Sequence, residues 1–139
     1  MASFICSIIS LGLALTSCEK TKECDCAPPP ALNSTWKIER YSGGFSGQTV
    51  ELPSSQQHTL RFTFNRFIFQ NKISGAFTNG TYKIGPDIAS DRRYYGITFT
   101  PAVPVLYGDY MTILKNENDT LVLSNGMADG YTFLLTKVK

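Results

Sequence analysis

The sequence predicts an all-β domain, an eight-stranded antiparallel up-and-down barrel, behind a short leader and tether. Three observations carry that expectation. Aromatic residues make up 12% of the chain, with nine Phe and seven Tyr, and such rings favour strands over helices. From Leu32 onward no stretch of ten residues keeps a helical period, whereas short alternating segments recur between turn-forming clusters. The 108 residues from 32 to 139 divide into eight strand-and-turn units with one long connection, which leaves no room for a helix layer.

The leader precedes all charge. No Lys, Arg, Asp or Glu occurs before Glu19, and residues 4–15 form a largely apolar run. That run is short of the ~20 residues that cross a bilayer but suits a signal-peptide core. It ends in Leu15-Thr16-Ser17-Cys18. A branched apolar residue, two small residues and a Cys resemble the lipobox of bacterial lipoproteins. The resemblance implies a signal peptide over 1–17, cleavage before Cys18, and acylation of Cys18 with chains such as palmitate. Several chains on one Cys would anchor stably, where one binds only marginally. The implied address is the bacterial cell envelope, on the outer membrane.

Residues 18–31 read as a tether. Pro28-Pro29-Pro30 favours an extended, stiff spacer. Cys24 and Cys26 are too few for a tetrahedral zinc site and are expected to have no catalytic role. The barrel domain then spans 32–139.

Its strands follow in order. Residues 35–40 alternate with period two, and 59–64 place Leu60, Phe62 and Phe64 on one face. Residues 67–73 follow after Asn65-Arg66; a turn there would set Phe64 against Phe67 and Phe62 against Phe69. Asn79-Gly80 is the strongest turn signal, with Gly75 bending the long strand before it. Residues 82–84, 94–100, 110–114, 120–123 and 131–138 complete the eight. A meander of this kind closes most simply into a barrel, because closure removes both exposed edges. A two-sheet sandwich is the rival architecture, but its crossings require long connections, and only 42–58 is long.

The layout resembles the lipocalin-like domains of bacterial lipoproteins. The likeness rests on Trp36 in the first strand, the long first loop, Gly80-Thr81-Tyr82, and the closing 120–123 and 131–133 segments. It implies a barrel and a carrier role.

The chemistry-bearing residues are few. A net charge of +2, without a basic cluster, gives no footprint for nucleic acid. His58 is the sole His and is expected in solvent at a loop end. No Gly-x-Ser-x-Gly elbow and no phosphate-binding Gly loop occurs, so neither an enzyme nor a cofactor is expected. Asp87, Asp91 and Asp119 read as turn formers. Asp119-Thr120-Leu121 matches a short O-glycosylation pattern, which makes Thr120 a candidate for modification.

The expected function is therefore non-catalytic binding of a small apolar ligand at the barrel mouth. The alternative is a solid barrel that meets a protein partner or acts as an inhibitor through its loops. An eight-stranded barrel is wide enough either to be filled by its side chains or to hold one small ligand. Phe62, Phe64, Phe67, Phe69, Tyr82, Tyr95, Phe99 and Phe133 are the rings that would fill or line it. Strand parity places 42–58, Asn79-Gly80, 101–107 and 125–130 on one rim, with Phe45, Val103, Pro104, Val105, Leu106, Tyr107 and Met127 as its apolar residues. Residues 101–107 either form that binding rim or fold back as packing. The opposite end carries the tether with Arg66, Arg92, Arg93 and Lys115, offset by nearby acids.

Overall fold

A computed structural model describes residues 30–87, 90, 93–126 and 129–139. Cys18 with its lipobox, the tether cysteines, Asp91, Arg92 and Met127 lie outside the described residues. Among the described residues there are nine strands: β1 (Ser34–Gly43), β2 (Gln48–Glu51), β3 (Thr59–Thr63), β4 (Arg66–Gln70), β5 (Phe77–Pro86), β6 (Tyr95–Val103), β7 (Gly108–Glu117), β8 (Thr120–Ser124) and β9 (Tyr131–Lys137). All neighbours are antiparallel, and β1 also pairs with β9, so eight strands close into a barrel in sequence order. The ninth, β2, is an addition. It pairs with Arg40 to Gly43 on the upper half of β1, while β3 takes Ser34 to Lys37 on the lower half of the same edge.

The long first loop is thus partly a hairpin, which the sequence pattern did not signal. All four residues of β2 are exposed, so no alternation marks them. The reversal depends on Gly43, Gly44 and Gly47, all at positive φ.

Two turns differ from the sequence expectation. The β3–β4 turn is Phe64-Asn65, not Asn65-Arg66, because Thr63 pairs with Arg66 and Phe62 with Phe67. Phe64 takes a φ of 53° and points into solvent, so it leaves the ring cluster. Non-local bonds fix this choice: Phe64 N–H donates to Asn33 Oδ1 at 2.9 Å, and Tyr82 N–H donates to the Asn65 carbonyl at 2.9 Å.

Asn79-Gly80 is not a turn at all. Asn79 pairs with Ile68 and Gly80 with Phe67 in the middle of β5. Gly80 is small because β6 presses on it: a Cβ there would run into the Thr100 carbonyl oxygen and lie 2.7 Å from Pro101 Cδ. The actual reversal is 71–76. Asn71 Oδ1 accepts from the N–H groups of Ile73 and Ser74 at 3.0 and 3.1 Å, and Gly75 supplies the positive φ.

Inward positions alternate along the strands and form one core. Phe62 meets Tyr82 edge-on at 4.9 Å and Phe67 meets Phe99 edge-on at 5.2 Å. Such pairs contribute roughly 0.5–1.5 kcal/mol beyond the area they bury. Trp36 is buried in the same core, its Nε1–H donating to the Leu32 carbonyl at 3.0 Å.

Asp87 exceeds its expected part as a turn former. It is 2% exposed and accepts from Tyr110 Oη at 2.7 Å and Thr112 Oγ1 at 2.9 Å, which clips the β5–β6 connection onto β7. Burial, then the bond to Asp87, pushes the Tyr110 hydroxyl up to about 12.

Candidate functional site

Three connections meet at the end of the barrel away from Trp36. The first, after β2, is held to β1 by Leu52 N–H donating to the Glu39 carbonyl at 2.7 Å. It then curls on itself, Gln57 Nε2 donating to the Leu52 carbonyl at 3.1 Å. The second is the 71–76 turn. The third is a single 3-10 turn at Pro104–Leu106, opened by Pro and closed by Tyr107 in the left-handed region.

Between them lies a cavity of about 230 Å³. Ile38, Tyr41 and Phe133 line it from the barrel wall; Leu52, Gln56 and His58 from the first connection; Ile73 from the second; Val105 and Tyr107 from the third. One wall is aromatic. Tyr107 stacks on Tyr131 at 4.6 Å and 23°, and Tyr41 and Phe133 approach at 6.0 Å. Gly44 lets the hairpin lie against this wall, since a Cβ there would sit 2.8 Å from Tyr131 Oη.

His58 is not the freely solvated loop residue expected from the sequence. It is 8% exposed, with its ring 5.7 Å from that of Phe69. Its Nδ1 accepts from Lys72 N–H at 3.1 Å, and its carbonyl accepts from Ile38 N–H at 2.9 Å, so one residue joins two rim connections to β1. Burial lowers its pKa, which favours the neutral ring. A neutral ring whose Nδ1 accepts must carry its proton on Nε2.

The residues expected to bind ligand separate into groups. Tyr107 and Phe133 line the cavity. Phe62, Phe69, Tyr82, Phe99, Val103 and Leu106 are core, so within the 101–107 stretch Val103 and Leu106 fold back as packing, Val105 and Tyr107 line the cavity, and Pro101, Ala102 and Pro104 are exposed. Tyr95 is half-buried at the far end, and Phe45 and Phe64 stand in solvent. Thr120 opens β8 opposite Glu117, partly buried.

His58 and Tyr41 were missed for different reasons. His58 shares inward parity with Leu60 and Phe62, a signal that extending the strand by one step would have found. Tyr41 had no such signal. A bulge between Ile38 and Arg40 reverses the parity of β1, so Tyr41 pairs with Phe133.

Two further depressions lie at the Trp36 end, along 33–35 with 61–64 and along 30–33 with Phe64, Asn65, Tyr82 and Ile84. They are open to solvent and far from the buried imidazole. Among the described residues, no three His, Cys, Asp or Glu side chains gather as a metal site would require. No protein-family profile, curated protein or solved structure matches this chain.

Proposed function

We propose that the chain is a lipid-anchored protein of the bacterial envelope, on the outer membrane, that binds a small apolar ligand without catalysis. The observation that carries the binding reading is the cavity of about 230 Å³ with its aromatic wall and single buried imidazole. Ligand sites are concave and mostly apolar, with few polar groups placed to orient the guest. The Leu15-Thr16-Ser17-Cys18 sequence supports the anchor. Native mass spectrometry of the chain released from its own membrane tests the binding reading: a co-purified apolar molecule is expected, and bare protein counts against it. For the anchor, Cys18→Ala should abolish acyl labelling and membrane partitioning; a change in neither removes it.

A second reading, a protein-interaction module, has one observation in its favour. Phe45 is 99% exposed at the β1–β2 hairpin tip, where an apolar ring has no packing to gain within the barrel. Crosslinking in intact cells from a photoreactive residue at position 45 separates the readings, since a carrier would give no recurrent protein adduct there.

A further inference from the structure

Resting on the cavity as a ligand site, we propose that its ligand is a compact, uncharged, largely apolar molecule carrying a hydrogen-bond acceptor such as a carbonyl or ester, which receives its bond from His58 Nε2–H.

The lining sets the charge. None of the described residues that line the cavity is Lys, Arg, Asp or Glu, and Lys72 contributes only its backbone N–H, to His58. A carboxylate or ammonium entering here would lose water and find no charged side chain to pair with, which disfavours it against a neutral guest. The volume sets the size. About 230 Å³ lies below the roughly 300–1,000 Å³ of sites for drug-sized molecules, so one or two rings fit and a long acyl chain does not.

The imidazole sets the polarity of the contact. Nδ1 is occupied by Lys72 N–H, while Nε2 has no partner among the described residues. No fully buried side-chain nitrogen or oxygen of those residues lacks a partner, so unpartnered Nε2 keeps contact with solvent. A guest that displaces that solvent must accept the Nε2 proton or leave it unsatisfied.

Three probes of one shape test this: methyl naphthoate, naphthoate and naphthalene. They are titrated against the untagged full chain in lipid nanodiscs, with protein-free nanodiscs as the blank. The ester should bind about fivefold tighter than naphthalene, one hydrogen bond's worth, and more than about tenfold tighter than the anion. Naphthoate binding as tightly as the ester overturns the uncharged class while leaving the ligand site standing. Naphthalene equal to the ester overturns the role of His58. No binding by any probe removes the ligand site itself, and this inference with it. His58→Phe should erase the preference for ester over naphthalene; a preference that survives overturns the assignment. Because that variant strips Lys72 N–H of its acceptor and could fail to fold, a second readout uses the unaltered chain. It holds one His, so its imidazole ¹⁵N signals need no assignment. The Nε2 signal should move with the ester and stay with naphthalene; an Nε2 signal unmoved by the ester overturns the proposal.

Discussion

The two ends of the barrel are built from the same alternation yet finish differently. At one end the entering chain itself is the plug: Leu32 and Trp36 are buried in the same core as Phe62, Phe67, Tyr82 and Phe99, whose rings meet edge to face. At the other end the closing groups come from three connections, and they meet around a space rather than through it. The comparison teaches that residue size along the strands does not decide where a barrel is filled. Both ends are rich in aromatics. What differs is whether buried side chains of the entering segment fill the opening, as those of Leu32 and Trp36 do, or whether loops only border it. One end is filled by buried side chains and the other keeps a cavity.

The largest expected effect breaks the filled end. Trp36→Ala deletes a side chain only 2% exposed together with its bond to the Leu32 carbonyl, and should cost roughly 3–5 kcal/mol of unfolding free energy in a denaturant titration. A loss under about 1 kcal/mol would mean the plug carries little. Gly80→Ala comes next. Its Cβ would meet backbone, the Thr100 carbonyl, which cannot swing aside like a long side chain. A cost of roughly 1–3 kcal/mol is expected, with β5 and β6 forced apart. A neutral result would show that the strands separate easily and that Gly80 is not held by its neighbour.

Titration sharpens the contrast, because the ends should fail at opposite extremes of pH. Burial lowers the pKa of His58 from 6.5, so below that value the unfolded chain binds more protons than the folded one. Stability should therefore decline as pH falls from about 6.5, and level off once the folded ring is also protonated. Protonated Nδ1 can no longer accept from Lys72 N–H, so the first and second rim connections should loosen together. The Asp87–Tyr110 clip at the filled end behaves the other way. With Tyr110 raised to about 12, the unfolded chain loses its proton first, and stability is lost as pH rises from 10 toward that value. Hydrogen exchange at mildly acid pH should show 71–76 opening while β3 and β4 stay protected. Uniform opening would mean that His58 does not act locally.

How far the sequence could be read follows the same physics. Strand parity within 59–63, 66–70 and 131–137 was legible, because each keeps an unbroken inward-outward alternation with large apolar residues inside. The barrel followed from that. Features that depend on a neighbouring strand were not legible. Gly80 reads as a turn residue until β6 is seen against it, and Phe64 reads as an inward ring until Asn33 and Tyr82 fix the turn. The cavity was missed for the same reason. Its imidazole is one step before a strand and its aromatic wall depends on a bulge, so neither periodicity nor composition collects His58 and Tyr41 into one place.

The smallest expected effect on stability is also the most direct probe of the open end. Tyr107 lines the cavity, stacks on Tyr131 at 4.6 Å, and is nevertheless 58% exposed. A ring that wet contributes little to folding, so Tyr107→Ala should shift stability by under about 1 kcal/mol. Its left-handed backbone, φ 54° and ψ 35°, is as costly for Ala as for Tyr, so the backbone should not relax to hide the loss. For binding, the same ring is half of a parallel aromatic surface, and removing it opens the cavity to solvent on that side. Affinity for a neutral aromatic probe should fall about tenfold, while the probe's preference for an acceptor group, which comes from His58, stays as it was. Tyr107→Phe should restore binding, because the stack needs the ring and not the hydroxyl. If Tyr107→Ala instead melts the barrel, the third rim connection belongs to the core as fully as Val103 and Leu106 do. The contrast between a filled end and a bordering end would then fail at that point.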